Sequence, residues 1–118
     1  MQMYLNMGEY AGVRYIEEDT FKEWTKAQFP ENDNRRGLGF DKPYLEYKGE
    51  SSNTAKDASK ASFGHTGFTG IMAWMDPEED LLYLFLSNRV LPTRGNTRLY
   101  SLNTRTNIQQ VLYDAIEK

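Results

Sequence analysis

A chain of 118 residues has room for one domain and too little for two, and its 39% hydrophobic and 14% aromatic content is that of a folded protein. A net charge of −3, with arginines scattered or local as in "NRRG" and "TRGNTRL", gives no basic stripe for nucleic acid. The lack of cysteine excludes disulfides, thiolate catalysis and cysteine metal sites, and a single histidine cannot make a multi-histidine zinc centre.

In chain order, residues 1–7 are apolar with little punctuation and begin as if in mid-helix, and "MGEYAG" then turns the chain. In "EEDTFKEWTKAQF", Phe21, Trp24 and Ala27 recur at helical spacing behind an acidic start, which predicts a helix at about 18–28 that Pro30 and "ENDN" end. Trp24 and Trp74 are both expected in the core. "RRGLGFD", residues 35–41, alternates Leu38 and Phe40 with glycines and reads as a short strand that another backbone can approach. Arg35 and Arg36 at its start could grip an anion; a solvated position is the favoured expectation. Residues 42–62 form a long polar loop, expected to be a solvated excursion.

"IMAWM" and "LLYLFLSNR", joined by "DPEED", predict an antiparallel hairpin. The second run is apolar on both faces, so a central strand is expected. "DPEED" is read as a solvated turn, since adjacent carboxylates on a turn do not converge. Asn88 and Arg89 are expected to tie the hairpin exit to the last helix. That helix, in "TRTNIQQVLYDAIEK", carries Ile108, Val111, Leu112, Ala115 and Ile116 on one face, with Thr104 or Asn103 as cap. The longest apolar run, Leu81 to Leu86, falls far short of the ~20 residues that span a bilayer, and no signal peptide opens the chain. The expected architecture is α+β: residues 1–118 as a single domain, with an antiparallel sheet of about three to four strands, helices packed on it and an amphipathic C-terminal helix.

The chemistry centres on "FGHTGFTG", residues 63–70. Gly64 and Gly67 bracket His65 and Thr66, and glycine on a strand edge removes the side chain that would hold a ligand off the backbone. A free edge amide can then serve as an oxyanion donor, worth several kcal/mol in hydrolases generally. The bland alternative is a glycine-rich turn with a surface histidine. A phosphate-loop reading fails, because the glycine-lysine-serine/threonine ending is missing.

Three stretches resemble the serine β-lactamase-related family of class C β-lactamases, D-alanyl-D-alanine carboxypeptidases and related esterases. They are "MYLNMGEYAGVRYIEEDTFKEWT", "RRGLGF" and "FGHTGFTGIMAWMDPEEDLLYLFLSNRV", about two-thirds of the chain; "NTRTNIQQVLYDAIEK" is similar to the family's last helix. The resemblance implies a partial β-lactamase/transpeptidase-like fold, the C-terminal part of a larger domain. It implies that His65 takes the place of the family's motif lysine, that Thr66 and Gly67 follow the motif, and that the Phe68 N–H is the second oxyanion donor. In this reading Thr66 holds a substrate carboxylate or a proton relay, and His65 hydrogen-bonds towards the serine and tyrosine. An unperturbed imidazole is mostly neutral at about pH 7, so exchanging lysine for histidine removes a permanent charge.

The family's nucleophile is the serine of S-x-x-K. Here Ser51, Ser52, Ser59, Ser62, Ser87 and Ser101 are followed three places on by Thr54, Ala55, Ser62, His65, Val90 and Thr104, none of them lysine. "YLN", Tyr4 to Asn6, matches the family's Tyr-x-Asn by letters but precedes "GEYAG", the wrong place, and is read as a decoy. A hydroxyl without a base is a weak nucleophile. The expectation is a fragment of a serine hydrolase, inactive alone, whose parent acylates a serine with a β-lactam, ester or D-alanyl peptide. The implied partners are a small-molecule acyl substrate and the missing N-terminal half; no metal or organic cofactor is implied, and the parent is expected in the periplasm or secreted. The alternative is a non-catalytic binding or oligomerising module that uses an exposed sheet.

Overall fold

A computed structural model describes residues 1–32 and 34–116. Asp33 of the "ENDN" stop and the last two residues of the expected final helix lie outside the described residues. The chain opens with one helical turn, α1 (Gln2–Leu5), then a two-stranded ribbon, β1 (Glu9–Tyr10) and β2 (Val13–Arg14). Met7, Gly8, Ala11 and Gly12 all have positive φ, which produces the two sharp reversals "MGEYAG" promised. Arg14 fastens the ribbon by donating from Nη1 to the carbonyls of Met7 and Ile16 at 3.1 and 3.0 Å.

Helix α2 (Glu18–Thr25) is three residues shorter than its periodicity predicted. Its end is set by competition for carbonyls rather than by Pro30. The Trp24 carbonyl accepts the Leu38 amide at 2.7 Å, and Thr25 Oγ1 bonds back to the Phe21 carbonyl. Phe21 is fully buried, but Trp24 is on the outer side and 37% exposed, so only Trp74 of the two tryptophans is core.

Residues 35–41 do not form the expected strand. They make a tight antiparallel loop with isolated pairings Arg36–Asp41 and Asp41–Gly64. The glycines do admit a neighbouring backbone: a Cβ on Gly37 would lie 2.5 Å from the Trp24 carbonyl oxygen.

The main sheet is β3 (Phe63–Thr66), β4 (Met72–Asp76) and β5 (Leu81–Phe85), antiparallel in the order β3–β4–β5. The hairpin forms as predicted, with Trp74 opposite Tyr83 and Met72 opposite Phe85. The strand expected at the centre, β5, is an edge strand; β4 is central. The continuous apolar run misled because one face of β5 has no cover here, and Leu84 is 48% exposed.

Two small cores flank the sheet. On one side Phe63 and Met75 pack with Phe21, and Tyr4, Leu5, Met7, Ile16 and Phe40 close around them. Rings meet edge to face, Phe40 on Phe63 at 5.2 Å and Phe21 on Phe63 at 5.5 Å. Tyr4, of the "YLN" letters, is partly buried against this core. On the other side Met72, Trp74 and Tyr83 pack with Phe85.

This second face lies beneath α4 (Thr104–Asp114), which follows a single turn, α3 (Arg98–Ser101). Asn103 precedes α4 in the left-handed region, with no side-chain cap bond. The helix presents Gln109 and Tyr113 inwards and leaves Ile108, Val111 and Leu112 exposed, the reverse of the predicted face. The cause is the 42–62 segment, which is solvated at 45–51 as expected but not over its second half. Thr54, Ala55 and Ser62 are buried, and the Ala55 and Lys56 amides donate to Gln109 Oε1 and Gln110 Oε1, both at 2.9 Å. A loop that brings backbone donors to a helix selects that helix's amide face.

Asp76 corrects the reading of "DPEED". It is 1% exposed and accepts from the Ser59 amide and hydroxyl, the Glu78 amide and the Tyr113 hydroxyl. Burial, and then the hydrogen bond to Asp76, push the Tyr113 phenol far above its ordinary value. Arg89 also differs from expectation: it binds the Phe68, Arg94 and Asn96 carbonyls and the Tyr100 hydroxyl, which ties the hairpin exit to the Phe68 turn and α3, not to α4. Among the described residues no helix is long and apolar enough to cross a membrane.

Candidate active-site strand

Strand β3 pairs with β4 along one side: Phe63 opposite Met75, Gly64 opposite Trp74, His65 opposite Ala73, Thr66 opposite Met72. On its other side only Gly64 is paired, exchanging both backbone bonds with Asp41 at 2.7 and 3.0 Å. Gly67 donates to the Ile71 carbonyl at 2.8 Å, which extends the β4 ladder past the strand's end. Antiparallel alternation then turns the backbone groups of Gly64 and Thr66 away from β4. Asp41 satisfies the first of these; at the second, the Thr66 carbonyl meets His65 Nδ1 at 2.8 Å, and no neighbouring strand covers the Thr66 amide.

Phe68 follows in the turn. Its carbonyl accepts from Arg89 Nε at 2.9 Å and the Tyr100 hydroxyl at 3.2 Å, while its amide has no acceptor among the described residues. Its ring is 65% exposed and lies under the Arg89 guanidinium at 4.6 Å. These two anchors fix the Phe68–Thr69 peptide plane, while the Phe68 N–H belongs to the preceding Gly67–Phe68 peptide.

Side-chain alternation separates His65 from Thr66. Thr66 lines a cleft of about 290 Å³ with Ser52, Asn53, Tyr100 and Arg105. His65 is exposed on the opposite side, against the 35–41 loop. Its Nδ1 lies 2.8 Å from the Thr66 carbonyl and its Nε2 lies 3.1 Å from Arg36 Nη1. Arg36 Nε and Arg35 Nη1 each stand 2.9 Å from Asp41 Oδ1, a carboxylate on a residue only 3% exposed. Arg36 stays exposed as expected and Arg35 is partly buried, but both stand against a buried acid, and Arg36 touches the motif histidine.

Sequence reasoning weighed Arg36 only as an anion grip or a solvated residue and missed Asp41 altogether. The acid five residues after the arginine pair, across two glycines, was a signal of a closed loop; the meeting with His65, 29 residues on, had none. A larger, mostly apolar cleft of about 390 Å³, walled in part by Ala27, Pro30, Tyr44 and Leu45, contains none of the four motif residues.

No protein-family model matches the chain. Curated relatives from Salmonella paratyphi B, Salmonella newport and Salmonella heidelberg, each named "Putative D-alanyl-D-alanine carboxypeptidase", are 34% identical over 92 residues. Those matches cover 75% of this chain and 20% of the relatives, so the chain spans about one-fifth of their length. A β-lactamase crystal structure from Mycobacterium bovis superposes with a TM-score of 0.67 at 22% identity, over 98% of this chain and 41% of that one, a likeness of fold. The antiparallel sheet, the helices and these two likenesses together make the chain a partial serine β-lactamase-related domain.

Proposed function

We propose that this chain supplies the substrate-facing edge strand of a serine acyl hydrolase whose nucleophile lies elsewhere in a longer polypeptide. In this reading the Phe68 N–H is an oxyanion donor, Thr66 holds the substrate and Gly67 lets it approach, with His65 beside them. The substrate is an acyl compound: a β-lactam, an ester or a D-alanyl peptide, met outside the cytoplasm. What supports the reading is the Phe68 amide, which has no acceptor among the described residues and lies just past the end of an edge strand paired on its outer side only at Gly64. The relatives' printed name supports the peptide arm. The absence of S-x-x-K predicts that the chain is inert alone.

The test compares two polypeptides. The 118-residue chain should neither take a fluorophosphonate label nor hydrolyse a chromogenic β-lactam. A longer polypeptide that carries S-x-x-K should be labelled at that serine, and Thr66→Val should lower its kcat/KM at least about tenfold. A label on any serine of the short chain overturns the claim of a missing nucleophile, and an unchanged kcat/KM removes Thr66 from the site. Exposed Leu84, on a strand with one free edge, and Leu86 just past its end favour a second reading, association through the sheet. A longer polypeptide that stays unlabelled would move the conclusion there.

A further inference from the structure

Resting on that reading, we infer that Arg36, held by Asp41, is the positioning residue of this strand: it fixes the tautomer of His65 and keeps a permanent positive charge where the family's lysine is replaced. A guanidinium has donors only. At 3.1 Å from Arg36 Nη1, His65 Nε2 must therefore accept. The ring proton then sits on Nδ1, where the Thr66 carbonyl takes it at 2.8 Å. Both ring nitrogens are occupied and the neutral Nδ1–H form is specified from both sides.

The guanidinium is held in its turn. Its Nε stands 2.9 Å from Asp41 Oδ1 and Arg35 Nη1 stands 2.9 Å from the same oxygen, two ion pairs rather than hydrogen bonds. Asp41 is almost wholly buried, and its backbone is paired with Gly64, one residue before the histidine. Carboxylate, guanidinium, imidazole and the Thr66 carbonyl thus form one line, anchored at both ends in the backbone of β3.

Two consequences follow. The lone pair of Nε2 is spent on Arg36, so His65 is not the proton acceptor for a serine. The lasting charge beside the edge belongs to Arg36, whose side chain stays 54% exposed and which does not deprotonate in proteins.

His65 is the only histidine of the chain, so its ring gives one unambiguous pattern in a two-bond ¹H–¹⁵N correlation spectrum. The ¹⁵N-labelled 118-residue chain should show a protonated Nδ1 and a pyridine-type Nε2. Arg36→Met and Asp41→Asn should shift the ring towards the Nε2–H form, and Arg36→Lys, which can still donate, should restore part of the original pattern. Unchanged amide signals in β4 and β5 show that a variant is folded. A wild-type ring protonated at Nε2, or an Arg36→Met variant that keeps the Nδ1–H pattern, overturns the inference; the wild-type spectrum decides even if that variant fails to fold. Neither result touches the hydrolase reading, which stands or falls on the serine label.

Discussion

Gly64 shows how much can depend on one hydrogen. A Cβ at this position would run into the Ala73 carbonyl oxygen and lie 2.5 Å from Trp74 Cε3 and 2.8 Å from Trp74 Cα. None of these atoms is the free end of a flexible side chain. We therefore expect Gly64→Ala to lower the urea midpoint by the equivalent of about 1–3 kcal/mol. Gly67→Ala meets nothing nearer than the Ile71 side chain at 3.6 Å and should leave the midpoint almost unchanged. If the two melts coincide, the crowding around β3 is wrong. The same pair shows what was legible at this scale. The spacing of the glycines marked a close approach, but at Gly64 the thing that approaches is Asp41 and Trp74, not a ligand. The contact of Arg36 with His65 stayed hidden because the two lie 29 residues apart, and no local pattern encodes it.

Elements were more legible than their orientation. Two apolar runs joined by a polar turn located β4 and β5, and 3.6-residue periodicity located α2 and α4. Periodicity reports only that a helix has two unlike faces; what lies opposite decides which one turns inwards. In α4 the opposing group is a loop with backbone amides to satisfy, so Gln109 is fully buried while Val111 is 63% exposed. A counter-intuitive ranking follows. Gln109→Ala should cost about 1–3 kcal/mol, because it leaves the buried Ala55 amide without an acceptor. Val111→Ala, an apolar truncation that would be severe in a core, should stay within about 0.5 kcal/mol. Thermal or chemical melts of the two variants check this, and the opposite order would mean that the helix docks on its apolar face.

For the molecule as a whole, length and composition read a single folded unit and the order of predicted elements its α+β class, while the partial nature of the domain was legible only through motif order and a missing S-x-x-K. The 42–62 segment was the largest misreading, because polar residues that bond to buried backbone look like polar residues in water. Lys42 makes that segment's burial measurable. Its ammonium donates to the Ala61 carbonyl at 2.8 Å, and its own carbonyl accepts from Asn53. Burial pulls its pKa down to about 8 from an ordinary 10.5, against the opposing pull of Asp76 and Glu78. Below about pH 8 both the folded and unfolded chains carry the charge, and folding bears its full desolvation cost. Between about 8 and 10.5 the unfolded chain binds more protons than the folded one, so stability rises with pH. Tyr83 and Tyr113, both pushed upwards chiefly by burial, act in the other direction once the pH passes their ordinary value of 10.0. The informative quantity is therefore the difference between wild type and Lys42→Met. Loss of the bond to Ala61 is a constant offset, whereas loss of the titration changes the slope. Unfolding free energies from urea melts at half-unit steps between about pH 7 and 10 should show a rising wild-type curve and a flatter variant, with the gap in slope opening near pH 8. Parallel curves would mean that Lys42 is solvated and that the loop does not close over β3.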